Sequence, residues 1–84
     1  MAVLTLLSRS YCHLCDEMRE AVHPLAQQYA AAVIEVDVDA YPDLEAAFGD
    51  AVPVLMLGAP ADKVELCRYR FDRERVEAAL KLAS

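Results

Sequence analysis

The chain has 84 residues, 57% of them hydrophobic, and a formal charge of −6, with a mean hydropathy of +0.20; that is enough apolar material for one small core. The acidity argues against a general nucleic-acid binder, which presents a basic face to phosphates. Three cysteines are the wrong number for a disulfide-stapled secreted scaffold and fit a reducing compartment.

The opening MAVLTLLSRS is apolar but short and lacks the basic start of a signal peptide. No run approaches the roughly 18 apolar residues of a membrane span. The expectation is therefore a soluble, monomeric, cytoplasmic protein of one domain, residues 1–84.

Residues 2–8 (AVLTLLS) form an almost unbroken apolar run, predicting a strand buried on both faces. From Leu14 the period becomes helical, through Met18, Val22, Leu25 and Tyr29. Pro24 lies inside that helix, where its missing N–H and its clash with the carbonyl of Glu20 predict a kink or a short restart. Residues 32–39 (AVIEVDVD) alternate Val33, Val36 and Val38 with Glu35, Asp37 and Asp39, the β period. YPDLEAAFG predicts a short helix with Pro42 at its first position and Gly49 as its stop.

VPVLMLG reads as a third strand, and Gly58 with Pro60 marks a turn. Residues 62–71 (DKVELCRYRF) alternate again, so the third and fourth strands should form an antiparallel hairpin. Asp72 then caps a last helix through Leu82, with Val76, Ala79, Leu80 and Ala83 as its apolar stripe. The order β-α-β-α-β-β-α demands a parallel pair joined by a right-handed crossover. The predicted class is α/β, a mixed four-stranded sheet flanked by helices on both faces.

Cys12 and Cys15 stand in a C-x-x-C spacing between the first strand and the first helix. A structural zinc site wants four soft ligands. The extra candidates are His13, inside the pair, His23, and Cys67, far along the chain; no metal site is expected. Haem attachment needs a histidine directly after the second cysteine, and Asp16 stands there.

A redox dithiol uses the position better. Unpaired N–H groups at a helix start stabilise a thiolate on the cysteine that precedes them, lowering a thiol pKa by one or more units from about 8.5. Cys12 occupies that cap position at the loop edge, while Cys15 continues the buried stripe of Met18 and Val22. Cys12 is thus the candidate nucleophile and Cys15 the resolving thiol. Arg9 and a protonated His13 favour the thiolate, and Asp16 and Glu17 oppose it. Two buried structural thiols are the plainer alternative.

Over essentially its whole length the sequence resembles the small glutaredoxin-like proteins of the thioredoxin-fold superfamily. The resemblance is carried by LTLLSRSYCHLC, VIEVDVDAYPDLEAAFG and AVPVLML. It implies a thioredoxin-like fold and thiol–disulfide oxidoreductase activity without a cofactor. Pro53 matches a proline that is cis in that family, leaving Val52 to offer its backbone N–H and C=O to an extended substrate. Arg9, Tyr11 and Asp72 are the further substrate-binding candidates. The implied partners are a protein disulfide or a glutathione mixed disulfide, with glutathione or a thioredoxin system as electron donor.

Two departures stand out. The family's usual Pro-Tyr between the cysteines is His13-Leu14 here. Its Gly-Gly pair before an Asp, after the fourth strand, is replaced by CRYRFDRERV, with Asp72 but no glycine, which puts close approach of glutathione to the backbone in question. A weakly catalytic binding module, adaptor or metal carrier is the competing function.

The remaining polar residues have ordinary readings. Cys67 is a mostly buried spare thiol, Met18 is core, and His23, Asp37 and Asp39 face solvent. Arg68, Arg70, Arg73 and Arg75 form a solvated basic tract.

Overall fold

The computed structural model describes residues 2–58 and 64–83. Its first strand, β1 (Val3–Ser8), leads into α1 (His13–Gln28) and returns through β2 (Ala32–Asp37). A 3-10 turn, Val38–Ala40, precedes the short α2 (Pro42–Phe48). Then follow β3 (Val54–Leu57), β4 (Val64–Arg68) and α3 (Arg73–Ala83).

The sheet order is β2-β1-β3-β4. β1 pairs parallel with β2 and antiparallel with β3, and β3 pairs antiparallel with β4. This is the predicted mixed sheet, and the β3–β4 pairing is the expected one. Pro60 and residues 62–63, where a turn and the start of the fourth strand are expected, lie outside the described residues.

The unbroken apolar run of β1 is explained by its two faces. Leu4 and Leu6 pack with Leu55 and Leu66 against Met18, Val22 and Leu25 of α1 and Val76 and Leu80 of α3. Leu7, Val54 and Met56 pack on the other face with Val38 and Ala51, beside Leu44 and Phe48 of α2. Leu4, Leu6, Leu55, Val76 and Leu80 are fully buried; truncating one of the leucines to alanine would cost about 2–5 kcal/mol.

Several local expectations are corrected. α1 continues through Pro24 as one helix, so of the two expectations there the restart does not occur. Its buried stripe begins at Cys15, whereas Leu14 is exposed. The alternation of the second strand ends at Asp37, and Val38 reaches the core from the 3-10 turn. In β4 the pairing shifts between Leu55–Cys67 and Met56–Glu65. That bulge inserts Leu66, so strict alternation fails and both Leu66 and Cys67 pack on the α1–α3 core.

Gly49 does stop α2, but with φ −54°, not in the left-handed region. What its position requires is space: a Cβ there would lie 2.5 Å from the carbonyl oxygen of Glu45 and 3.3 Å from Nη2 of Arg9.

Candidate active site

Cys12 is the N-cap of α1, with extended φ and ψ of −104° and 108°. Its carbonyl accepts the first helical bond from the N–H of Asp16 at 3.2 Å. Its Sγ accepts the N–H of Cys15 at 3.1 Å. The two sulfurs are joined as a disulfide, with Cα atoms 5.2 Å apart. Cys12 is half-buried and Cys15 fully buried, the asymmetry that an attacking and a resolving thiol need. Tyr11, directly before Cys12, is fully exposed and left-handed at φ 59°.

The Val52–Pro53 peptide is cis, as the resemblance implies. Pro53 is buried and Val52 half-buried. Among the described residues no hydrogen bond engages the N–H or C=O of Val52. The segment around Val52 is held instead at Asp50 and Pro53 by Tyr69, a residue that sequence reasoning passed over. The Tyr69 N–H donates to the Pro53 carbonyl at 2.9 Å, and its hydroxyl donates to the Asp50 carbonyl at 3.2 Å.

Tyr69 has φ 68°, a conformation that costs a bulky residue about 1–3 kcal/mol. Nothing in a sequence marks a tyrosine for that region, where glycine or asparagine is the usual signal. A groove of about 420 Å³ runs from Leu14, between the cysteines, past Met18 and Ala21 to Tyr69, Arg70 and Phe71.

The charged residues near the pair are largely engaged. Arg9 donates from Nε to Asp39 Oδ1 at 3.1 Å, from Nη1 to the Gly49 carbonyl at 3.1 Å and from Nη2 to Asp39 at 2.9 Å and Glu45 at 3.4 Å. Arg19 donates to Asp16 at 2.7 Å and from Nε to Glu35 at 2.7 Å. Arg19 thereby holds the Glu35 carboxyl below its ordinary value, with the Ser8 hydroxyl adding to the effect. His13 lies 3.7 Å from Glu17, one turn on.

Asp72 caps α3, its Oδ1 accepting the N–H of Arg75 at 3.2 Å. Burial pushes the Cys67 thiol up, partly offset by the backbone N–H of Asp72. No group of three or more His, Cys, Asp or Glu side chains converges to hold a metal ion among the described residues. No helix among them is long and apolar enough to cross a membrane.

A C-x-x-C pair at a helix start, set on this strand order with a cis-proline directly before β3, is the arrangement of a thioredoxin-fold redox protein. The chain belongs to the glutaredoxin-like domain family (DUF836), which matches residues 3–81. Among solved structures, it is similar to protein Ne2328 from Nitrosomonas europaea, at 31% identity and a TM-score of 0.79, over 93% of this chain and 89% of that one. XcR50 from X. campestris is 40% identical with a TM-score of 0.61, over 96% and 99%. A mutant thioredoxin from Halobacterium salinarum is 30% identical with a TM-score of 0.73, over 96% and 73%. Among curated proteins none matches the chain. Fold, family and cysteine pair together support a redox function, with disulfides as the general class of substrate.

Proposed function

We propose that the chain is a dithiol–disulfide oxidoreductase that reduces disulfides of proteins or small molecules. The Cys12 thiolate attacks one sulfur of the substrate; that S–S bond breaks, the Cys12–substrate disulfide forms, and the other substrate sulfur leaves as a thiolate. The Cys15 thiolate then attacks Cys12 Sγ and expels the second substrate sulfur. The Cys12–Cys15 disulfide that results takes two electrons back from glutathione or a thioredoxin-type dithiol.

The observation that carries this reading is the Cys15 N–H on the sulfur of a half-buried Cys12, with the partner thiol buried beneath. Val52 and Pro53 supply the substrate-facing edge, and Tyr11 flanks the attacking sulfur. No resident cofactor is required for the exchange. The cysteine usage and acidity that the sequence shows suit a monomer working in the reducing cytoplasm, away from membranes and nucleic acids.

The test is turnover of a peptide disulfide, followed by release of thiol, with glutathione and with a thioredoxin system as alternative reductants. Cys12→Ser should abolish it. Equal rates for wild type and Cys12→Ser would remove the reading, and the better reductant identifies the donor.

A further inference from the structure

We propose that Tyr69 is a positioning and specificity-determining residue, which presents Val52 to an extended polypeptide disulfide and walls an apolar groove for the side chain next to the substrate cysteine. This rests on the disulfide-exchange reading above.

Val52 is bracketed by the two bonds of Tyr69, its N–H on the Pro53 carbonyl and its hydroxyl on the Asp50 carbonyl. On the other side Ala51 is tied back by its N–H to the Phe48 carbonyl at 2.8 Å. The segment is therefore held at residues 50, 51 and 53, while the N–H and C=O of Val52 have no partner among the described residues. An unpaired donor and acceptor on one fixed residue match the backbone of an extended chain, which would pair with them as an added strand does.

The groove beside them selects further. Its wall is made mostly by Leu14, Met18, Ala21, Tyr69 and Phe71, with Glu17 and Arg70 also lining it. Leu14, directly before Cys15, is exposed and Tyr69 half-exposed, so apolar surface is open to solvent next to the cysteine pair. A polypeptide with a leucine or phenylalanine beside its cysteine would cover that surface. Glutathione has only charged or absent side chains on either side of its cysteine and leaves the surface wet.

The test uses the Cys15→Ser background, in which the first exchange product is not resolved. The protein is offered equal concentrations of oxidised glutathione and of a short peptide disulfide with phenylalanine next to its cysteine. The two Cys12 adducts are then counted by mass spectrometry. The peptide adduct should lead by about tenfold.

Tyr69→Phe, which loses the hydroxyl's bond to Asp50 and its interaction with Arg68, should lower that ratio about threefold. Tyr69→Gly, whose backbone suits the left-handed φ and keeps the N–H to Pro53, should bring it near unity. The pH profile of Cys12 alkylation should stay unchanged in both variants, since neither touches the sulfur. A wild-type preference for glutathione, a ratio unaffected in Tyr69→Gly, or equal loss of both adducts would overturn the proposal. Failure of the Cys15→Ser protein to form either adduct would instead bring down the exchange reading, and this inference with it.

Discussion

The N–H of Cys15 points at the sulfur of Cys12 from 3.1 Å, so the helix start that positions the pair also supplies a donor to the sulfur proposed as nucleophile. With the pair reduced, the same donor makes a charge-assisted bond to a Cys12 thiolate and favours it over the thiol. Reduced Cys12 should therefore alkylate with a midpoint below the ordinary thiol value of about 8.5, read by mass spectrometry of iodoacetamide adducts against pH. Mild oxidation should return the Cys12–Cys15 disulfide. A Cys12 midpoint at or above that of a free thiol, or no disulfide on oxidation, would contradict the assignment.

Arg9 and Gly49 form a second linked pair. The guanidinium reaches across to the Gly49 carbonyl and to the carboxylates of Asp39 and Glu45. A Cβ at Gly49 would meet the Glu45 carbonyl at 2.5 Å, Glu45 Oε1 at 3.0 Å and Arg9 Nη2 at 3.3 Å. Gly49→Ala should thus destabilise the protein by about 1–3 kcal/mol through overpacking, measured by urea unfolding. Arg9→Ala should lower Tm, since it releases the 3-10 turn and the end of α2 from β1's exit. If Arg9 serves substrate binding instead, Arg9→Ala should raise the KM for glutathione while leaving Tm in place, and the two readouts separate the roles.

The acid side of the stability curve should depend on Glu35. Its carboxyl is held down chiefly by Arg19, against a smaller burial penalty. A depressed folded pKa contributes stability that is present above the ordinary carboxyl value of 4.5 and is lost as pH falls through the folded value. Both side chains are exposed enough for solvent to screen the pair, so Glu35→Gln should cost only about 0.2–1 kcal/mol near neutral pH. The difference from wild type should shrink in urea titrations as the pH falls through the folded value and vanish below it. A difference that persists there would assign the effect to packing and not to charge.

Much of this architecture is legible in the residues. The change of period at Leu14, Pro42 at the start of a helix and the alternation after Gly58 give the element order, and that order with the C-x-x-C locates the reactive pair. The parts that stay hidden are those where a neighbour overrides local chemistry. Leu14 fits the helical spacing yet stays exposed, while Cys15, three residues before Met18 on the same face, takes the core position. α1 ends in a Schellman arrangement, with Ala31 N–H on the Ala26 carbonyl at 2.8 Å and Ala30 left-handed at φ 53°. Without the customary glycine that stop leaves no mark. The Leu66 bulge depends on how β4 registers against β3, which no alternation within β4 can report. Tyr69 is the same case at the site itself, a left-handed aromatic residue fixed by bonds to Asp50 and Pro53, 19 and 16 positions earlier in the chain.

Cys67 provides the last prediction, because its setting is opposite to that of Cys12. It packs against the α1–α3 core, and burial pushes its thiol up, with the Asp72 backbone N–H opposing. Only the thiolate reacts with alkylating agents, so in the reduced native protein Cys67 should label more slowly than Cys12 at every pH near neutrality. A raised folded pKa also fixes the sign of its linkage. The contribution to stability is complete below the unfolded thiol value and is lost as pH rises through the folded one. Cys67→Ala should accordingly flatten the alkaline fall of stability in urea titrations while leaving disulfide exchange by Cys12 and Cys15 in place. Labelling of Cys67 as fast as Cys12, or an alkaline limb unchanged in Cys67→Ala, would show that burial does not govern this thiol.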